Sequence, residues 1–177
     1  LGVPFYIAEF VDGVVLTDEL CGWMTDAVTR RGVAAAAVGA LVDIHRIDVT
    51  DPDIAVLGRP EGYLERQLRR FRGLWETVAT RELSEVDEIG RWLVRTRPPS
   101  PPPALVHGDF RLGNLMLRRH APPRVQAVLE WEMSTLGDPL TDVGYLSATW
   151  AGTDRARNVL ELTPVTRRPG FPSREDV

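Results

Sequence analysis

Lysine is absent from this chain: its 177 residues include 21 basic side chains, and every one is arginine. No side-chain ammonium is on hand to grip a phosphate, and no Gly-x-Gly-x-x-Gly phosphate loop stands in for it. The single cysteine, Cys21, excludes an internal disulfide and points to a reducing cytoplasm, with the thiol used for packing. No apolar run is long enough to span a bilayer and no signal peptide is present, so no membrane partner is expected. A net charge of −4 argues against a nucleic-acid partner, which calls for a basic surplus. The three histidines form no metal-binding cluster in sequence. What remains, 44% hydrophobic residues over 177 positions, suits one globular domain.

Apolar periodicity predicts four helices in the first half. Thr17 is a candidate cap for a helix reaching Thr29, and a second runs from Val33 to His45 with Val38, Leu41, Val42 and His45 at helical spacing. His45 then reads as a packed or hydrogen-bonded histidine at a helix end. A third helix over Glu61–Ala79 carries the stripe Leu64, Leu68, Phe71, Trp75 and Val78, expected to face the core. Its arginines at 66, 69, 70 and 72 read either as a solvated face paired with Glu61, Glu65 and Glu76, or as a phosphate-binding group. Ser84 is a candidate cap for a fourth helix to Arg95, packed through Val86, Ile89, Trp92 and Leu93. The run Pro98-Pro-Ser-Pro-Pro-Pro103 ends it and forms an extended connector.

Chemistry concentrates after that connector, in Leu105-Val-His-Gly-Asp-Phe-Arg-Leu-Gly-Asn114, then Val128-Leu-Glu-Trp-Glu132 and Leu136-Gly-Asp-Pro139. Val106 ends one apolar strand, Leu115-Met-Leu117 begins another, and Val125–Leu129 reads as a third. A loop between strands can aim Asp109 and Asn114 into one cleft, although Asp and Asn also favour ordinary turns. Phosphoryl transfer needs a carboxylate to orient and deprotonate a hydroxyl, and oxygen ligands for magnesium. Asp109 suits the first task; Asn114 and Glu130 suit the second.

In that order, His107-Gly-Asp109, Asn114, the apolar strand and the downstream acid resemble the aminoglycoside phosphotransferase and choline kinase-like family, over nearly the whole chain. Within it the motifs are most similar to the branch that also occurs fused to acyl-CoA dehydrogenases. The resemblance implies an α+β, mainly helical fold: the carboxyl-terminal lobe of a kinase-like protein, with a short β-hairpin at the catalytic loop. It implies ATP and Mg2+ as cofactors and a small-molecule hydroxyl as acceptor, with a hydroxyacyl-type compound such as a hydroxyacyl-CoA favoured over an antibiotic. By the same resemblance Asp109 is the catalytic base, Arg111 faces the transferred phosphate, and Asn114 and Glu130 hold magnesium. His107 is structural, and Asp142 braces the catalytic loop through backbone amides. Pro4–Gly13 resembles a kinase hinge, where the Glu9 carbonyl and Val11 amide, flanking Phe10, meet the adenine edge.

One position departs from the family pattern, which has Asp where this chain has Glu130. The extra methylene shifts the carboxylate by roughly an ångström, and magnesium demands near-ideal octahedral geometry. Glu132 is a second acid nearby. The absent lysine, and a first residue already at the hinge, lead us to expect one catalytic lobe over 1–177 with the amino-terminal nucleotide lobe and a carboxyl-terminal helix missing. That helix is expected after Phe171-Pro-Ser-Arg-Glu175, and the fragment alone is expected to be weakly active or inactive. Two other readings stand beside the phosphotransferase. One is a catalytically inactive kinase-like binding module; the other is a metal hydrolase built on His107, Asp109 and His120.

Overall fold

A computed structural model describes residues 7–152 and 160–177. The longest element is helix α1, Ala27–His45. Asp26 caps it, accepting from the Thr29 amide at 2.8 Å. Its buried side chains Val33, Ala34, Ala37, Leu41 and Ile44 recur at three- and four-residue intervals, one stripe of a helix. Burying each of the larger ones stabilises the fold by about 1.5–3 kcal/mol. The segment 17–26, expected to be helical, is instead turns, with no helix before Ala27 among the described residues. There the chain crosses the core, sinking Leu16 and Met24 while Thr17, Asp18 and Glu19 face solvent.

Helix α2, Pro52–Ala55, is a single turn that the periodicity reading passed over. Helices α3, Tyr63–Val78, and α4, Ser84–Thr96, pack on each other. Ser84 does not cap α4; Leu83 occupies that position without a side-chain bond. The expected core-facing stripe of α3 is only partly covered: Leu64, Leu68 and Trp75 are half-buried, while Phe71 is 60% and Val78 57% exposed. On α4, Ile89 and Trp92 are likewise more than half exposed. Only Tyr63 of α3 is buried. The proline run that follows is extended, as its composition requires.

The strands are short and sit where the motifs are. Strand β2, Ala104–Val106, is buried along its length and pairs antiparallel with β5, Thr135–Gly137. Between them lie β3, Leu115–Leu117, and β4, Val125–Val128, an antiparallel hairpin whose turn holds His120 through Pro123. Strand β1, Val14–Val15, adds to the outer side of β3. Helix α5, Leu140–Thr149, follows β5 directly. One core joins these pieces: Leu41 of α1, Leu105 of β2, Phe110, Leu115, Leu117, Leu136 and Leu146 all belong to it.

Around Trp150, the last buried turn is closed by the indole donating to the Pro172 carbonyl at 3.1 Å. Arg174 in turn donates to the Trp150 carbonyl at 2.8 Å. Residues 174–176 form a turn, with the Ser173 hydroxyl on Asp176 at 2.7 Å. No helix among the described residues is long and apolar enough to cross a membrane.

Candidate active site

Strand β2 delivers the chain into a loop whose backbone is held from behind. Asp142, in the first turn of α5, is fully buried and accepts from the His107 amide at 2.9 Å and the Gly108 amide at 2.8 Å. A third donor is His45 at the end of α1, whose Nε2 lies 3.0 Å from Asp142 Oδ2. A buried carboxylate is tolerable only when donors replace its water, and here three do. Gly108 has φ +86, and a Cβ there would stand 2.6 Å from the Met133 carbonyl, so the residue before Asp109 must be glycine.

His107 links this loop to the next one. The Asp109 amide donates to His107 Nδ1 at 3.2 Å, which makes Nε2 the protonated nitrogen, donating to the Leu129 carbonyl at 2.9 Å. Its ring meets Phe110 edge-on at 5.8 Å and lies 4.7 Å from the Trp131 ring. Both nitrogens are thus committed within the protein, and His107 has no lone pair left for a metal. His120 sits exposed at the far turn of the β3–β4 hairpin. The hydrolase reading therefore lacks its ligands.

Asp109 is the hub of the loop. The Asn114 Nδ2 donates to its Oδ2 at 2.7 Å and to its backbone carbonyl at 2.9 Å. Arg111 Nε lies 3.5 Å from Oδ1, within ion-pair range, yet this buried nitrogen is not aligned for a hydrogen bond. Tyr145 of α5 also feels this carboxylate. Burial pushes the Tyr145 pKa up from its ordinary 10.0, and the nearby Asp109 carboxylate pushes it further, against the opposing pull of Arg111. Sequence reasoning missed Tyr145. The signal was its place three residues after Asp142 on a helix, a spacing that puts both on one face.

Two oxygen-bearing groups near the loop are uncommitted among the described residues. Asn114 is 2% exposed and spends its nitrogen on Asp109, while its Oδ1 accepts no hydrogen bond from any described residue. Glu130 is exposed at the end of β4 with φ +63 and ψ +60, a left-handed conformation unusual for Glu, and its carboxylate has no partner among the described residues. The Leu129 amide donates to the Asn114 carbonyl at 2.8 Å, which ties Glu130's neighbour to Asn114. Among the described residues no group of three or more His, Cys, Asp or Glu could hold an ion. One amide and one carboxylate fit magnesium, which keeps waters and takes its remaining ligands from substrate phosphates.

Glu9 and Phe10 are exposed and Val11 is half-buried, in extended chain leading to β1. No strand forms over residues 7–10, whereas Pro4, Phe5 and Tyr6 lie outside the described residues. Because β1 pairs with β3, this segment enters the sheet at the strand that follows Asn114.

A family model described as the phosphotransferase enzyme family matches residues 1–163. Acyl-CoA dehydrogenase family member 11 of Gallus gallus is 32% identical over 146 residues, covering 82% of this chain and 18% of that protein. The Homo sapiens protein of the same description is 28% identical across 100% of the chain and 22% of its own length. Among solved structures, a candidate aminoglycoside phosphotransferase from Ralstonia eutropha superposes with TM-score 0.77 at 31% identity, covering 95% of this chain and 51% of that one. A choline/ethanolamine kinase family protein from Mesorhizobium loti, at 20% identity and TM-score 0.54 over 78% of this chain and 44% of its own, shares the fold. The chain thus spans about a fifth of the dehydrogenase-named relatives and about half of the structural neighbours. With the match spanning its sheet, its Asp109 loop and its supporting helices, the chain belongs to the phosphotransferase enzyme family.

Proposed function

We propose that this chain supplies the catalytic lobe of an ATP- and magnesium-dependent enzyme that moves the γ-phosphate to a hydroxyl of a small molecule. The supporting observation is the state of Asp109: a carboxylate fixed by Asn114, flanked by Arg111, and still about a quarter exposed. Fixation on one side and access on the other are what a general base needs.

In this reading Asp109 accepts the proton of the acceptor hydroxyl. The freed oxygen pair forms the new bond to the γ-phosphorus as the bond to the bridging β,γ-oxygen breaks and ADP departs. Arg111 meets charge on the transferred group, and the Glu9 carbonyl with the Val11 amide meets the adenine edge. Asn114 Oδ1 and Glu130 would hold magnesium, which when bound neutralises phosphate charge. Because little covalent help is required, the contribution of Asp142, His45 and His107 is to hold Asp109 in place.

The test is turnover of a hydroxyl acceptor by the longest natural polypeptide that carries this chain, against its Asp109→Asn form. The substitution should lower kcat by roughly a hundredfold or more while leaving nucleotide binding intact. A change under about threefold would remove Asp109 from the chemistry. Glu130, where the family pattern has Asp, favours a second reading, a nucleotide-binding module without turnover. Metal-dependent ATP binding with no transfer in either form would support it.

A further inference from the structure

Helix α3 carries four arginines, Arg66, Arg69, Arg70 and Arg72, and the fold occupies them differently. Arg66 donates to the Arg59 and Glu61 carbonyls at the helix entrance. Arg69 pairs with Glu65 at 3.0 Å, and Arg72 lies 3.9 Å from Asp87 of α4. Arg70 alone of the four has no hydrogen-bond or ion-pair partner among the described residues.

Arg70 lines a cavity of about 450 Å³ that also reaches Gly108 and Tyr145. Tyr63, Gln67 and Arg70 follow one another at helical spacing, so a single face of α3 is turned toward the catalytic loop. Tyr145, which the charge of Asp109 reaches, lines the same cavity. The guanidinium therefore shares one space with Tyr145 and with Gly108, the residue before Asp109 in the catalytic loop. Phe71 and Met133 give that space an apolar wall. Glu132 also borders it but lies outside ion-pair distance of Arg70.

We propose that Arg70 determines the acceptor class: a hydroxyl compound that also carries a carboxylate or phosphate, held by the guanidinium while its hydroxyl lies at Asp109. Arginine suits the role because its planar fork binds such groups bidentately. A polyamine would instead bring ammonium groups against an unneutralised guanidinium. This inference rests on the phosphotransferase reading and narrows its substrate.

The experiment uses the longest natural polypeptide with a series of ω-hydroxycarboxylates of increasing chain length, their methyl esters, the matching hydroxyalkyl phosphates and the matching amino alcohols. Wild type should prefer an anion to its ester by about tenfold or more in kcat/KM, the yield of one charge-assisted pair in a half-open cavity. Arg70→Gln should bring that ratio near one, and Arg70→Lys should restore part of it. Because Arg70 has no partner among the described residues, neither change should disturb the fold. Carboxylate and phosphate arms identify which anion is taken. Equal use of acid and ester, or preference for the amino alcohol, overturns the assignment. If no acceptor is phosphorylated, the phosphotransferase reading fails separately. Calorimetric binding of the hydroxycarboxylates then decides Arg70: a tenfold weakening in Arg70→Gln sustains the anion site, and no weakening removes it.

Discussion

Replacing Asp142 with alanine removes the acceptor for three donors at once, the His107 and Gly108 amides and His45 Nε2, at 2.9, 2.8 and 3.0 Å. The His107 amide is buried and the Gly108 amide part-buried behind the loop. Each buried donor left unpaired costs about 1–3 kcal/mol. His45 is 16% exposed at its side chain and can turn its N–H toward solvent, so it adds little. Removing the buried charge recovers some desolvation energy, and the net loss should be about 3–5 kcal/mol. At roughly 2–4 °C per kcal/mol for a chain of this size, Tm should fall by roughly 6–20 °C. Urea denaturation with an unchanged m-value reads the loss directly. Asp142→Asn should lose less stability, because one acceptor oxygen survives while its amide confronts another donor. A loss under about 1 kcal/mol for alanine would refute the claim that these bonds hold the loop.

Phe110 is fully buried against His107, so Phe110→Ala should cost about 3–5 kcal/mol by urea denaturation and lower turnover with it. Tyr145 has a pKa raised in the folded state, so its contribution is present below 10.0 and is lost as pH rises through the folded value. Tyr145→Phe should therefore show a shallower alkaline decline of Tm than wild type; an identical decline would remove Tyr145 from the Asp109 network. Glu130 holds φ +63, and Glu130→Gly should gain about 1 kcal/mol of stability by releasing that conformation while abolishing magnesium-dependent turnover. Glu130→Asp, a residue more at ease there, should raise turnover; a fall would show that the longer carboxylate is the fitted one.

The parts written as local pattern were legible in the sequence. The His107-Gly-Asp109 loop, the β3–β4 hairpin and the helix-end His45 depend on neighbours within a few residues, or on turn chemistry that few residue types satisfy. Helix α1 was found only in part. Leu20, Cys21 and Trp23 pack against the core beside Met24, so the apolar residues of segment 17–26 resemble a helix face while packing in turns. Its true start was marked by Asp26 with a free Thr29 amide to cap. The stripe on α3 shows a different limit. Periodicity identifies an apolar face but not what covers it, and Phe71 and Val78 remain exposed although their spacing is that of a core helix. Tyr145 was illegible as a site residue, and Arg70 could not be singled out from Arg66, Arg69 and Arg72, because their meaning is tertiary. One acquires it from Asp109, 36 positions upstream, and the other from the absence of any partner among the described residues.

Calorimetric titration of magnesium–ATP into the longest natural polypeptide carrying this chain tests the central assignment most directly, with Asn114→Ala and Glu130→Ala alongside. The account predicts binding that requires magnesium and weakens in both variants, because Asn114 Oδ1 and the Glu130 carboxylate are without partners among the described residues. Binding that is indifferent to magnesium and to both substitutions, or no binding at all, would contradict it.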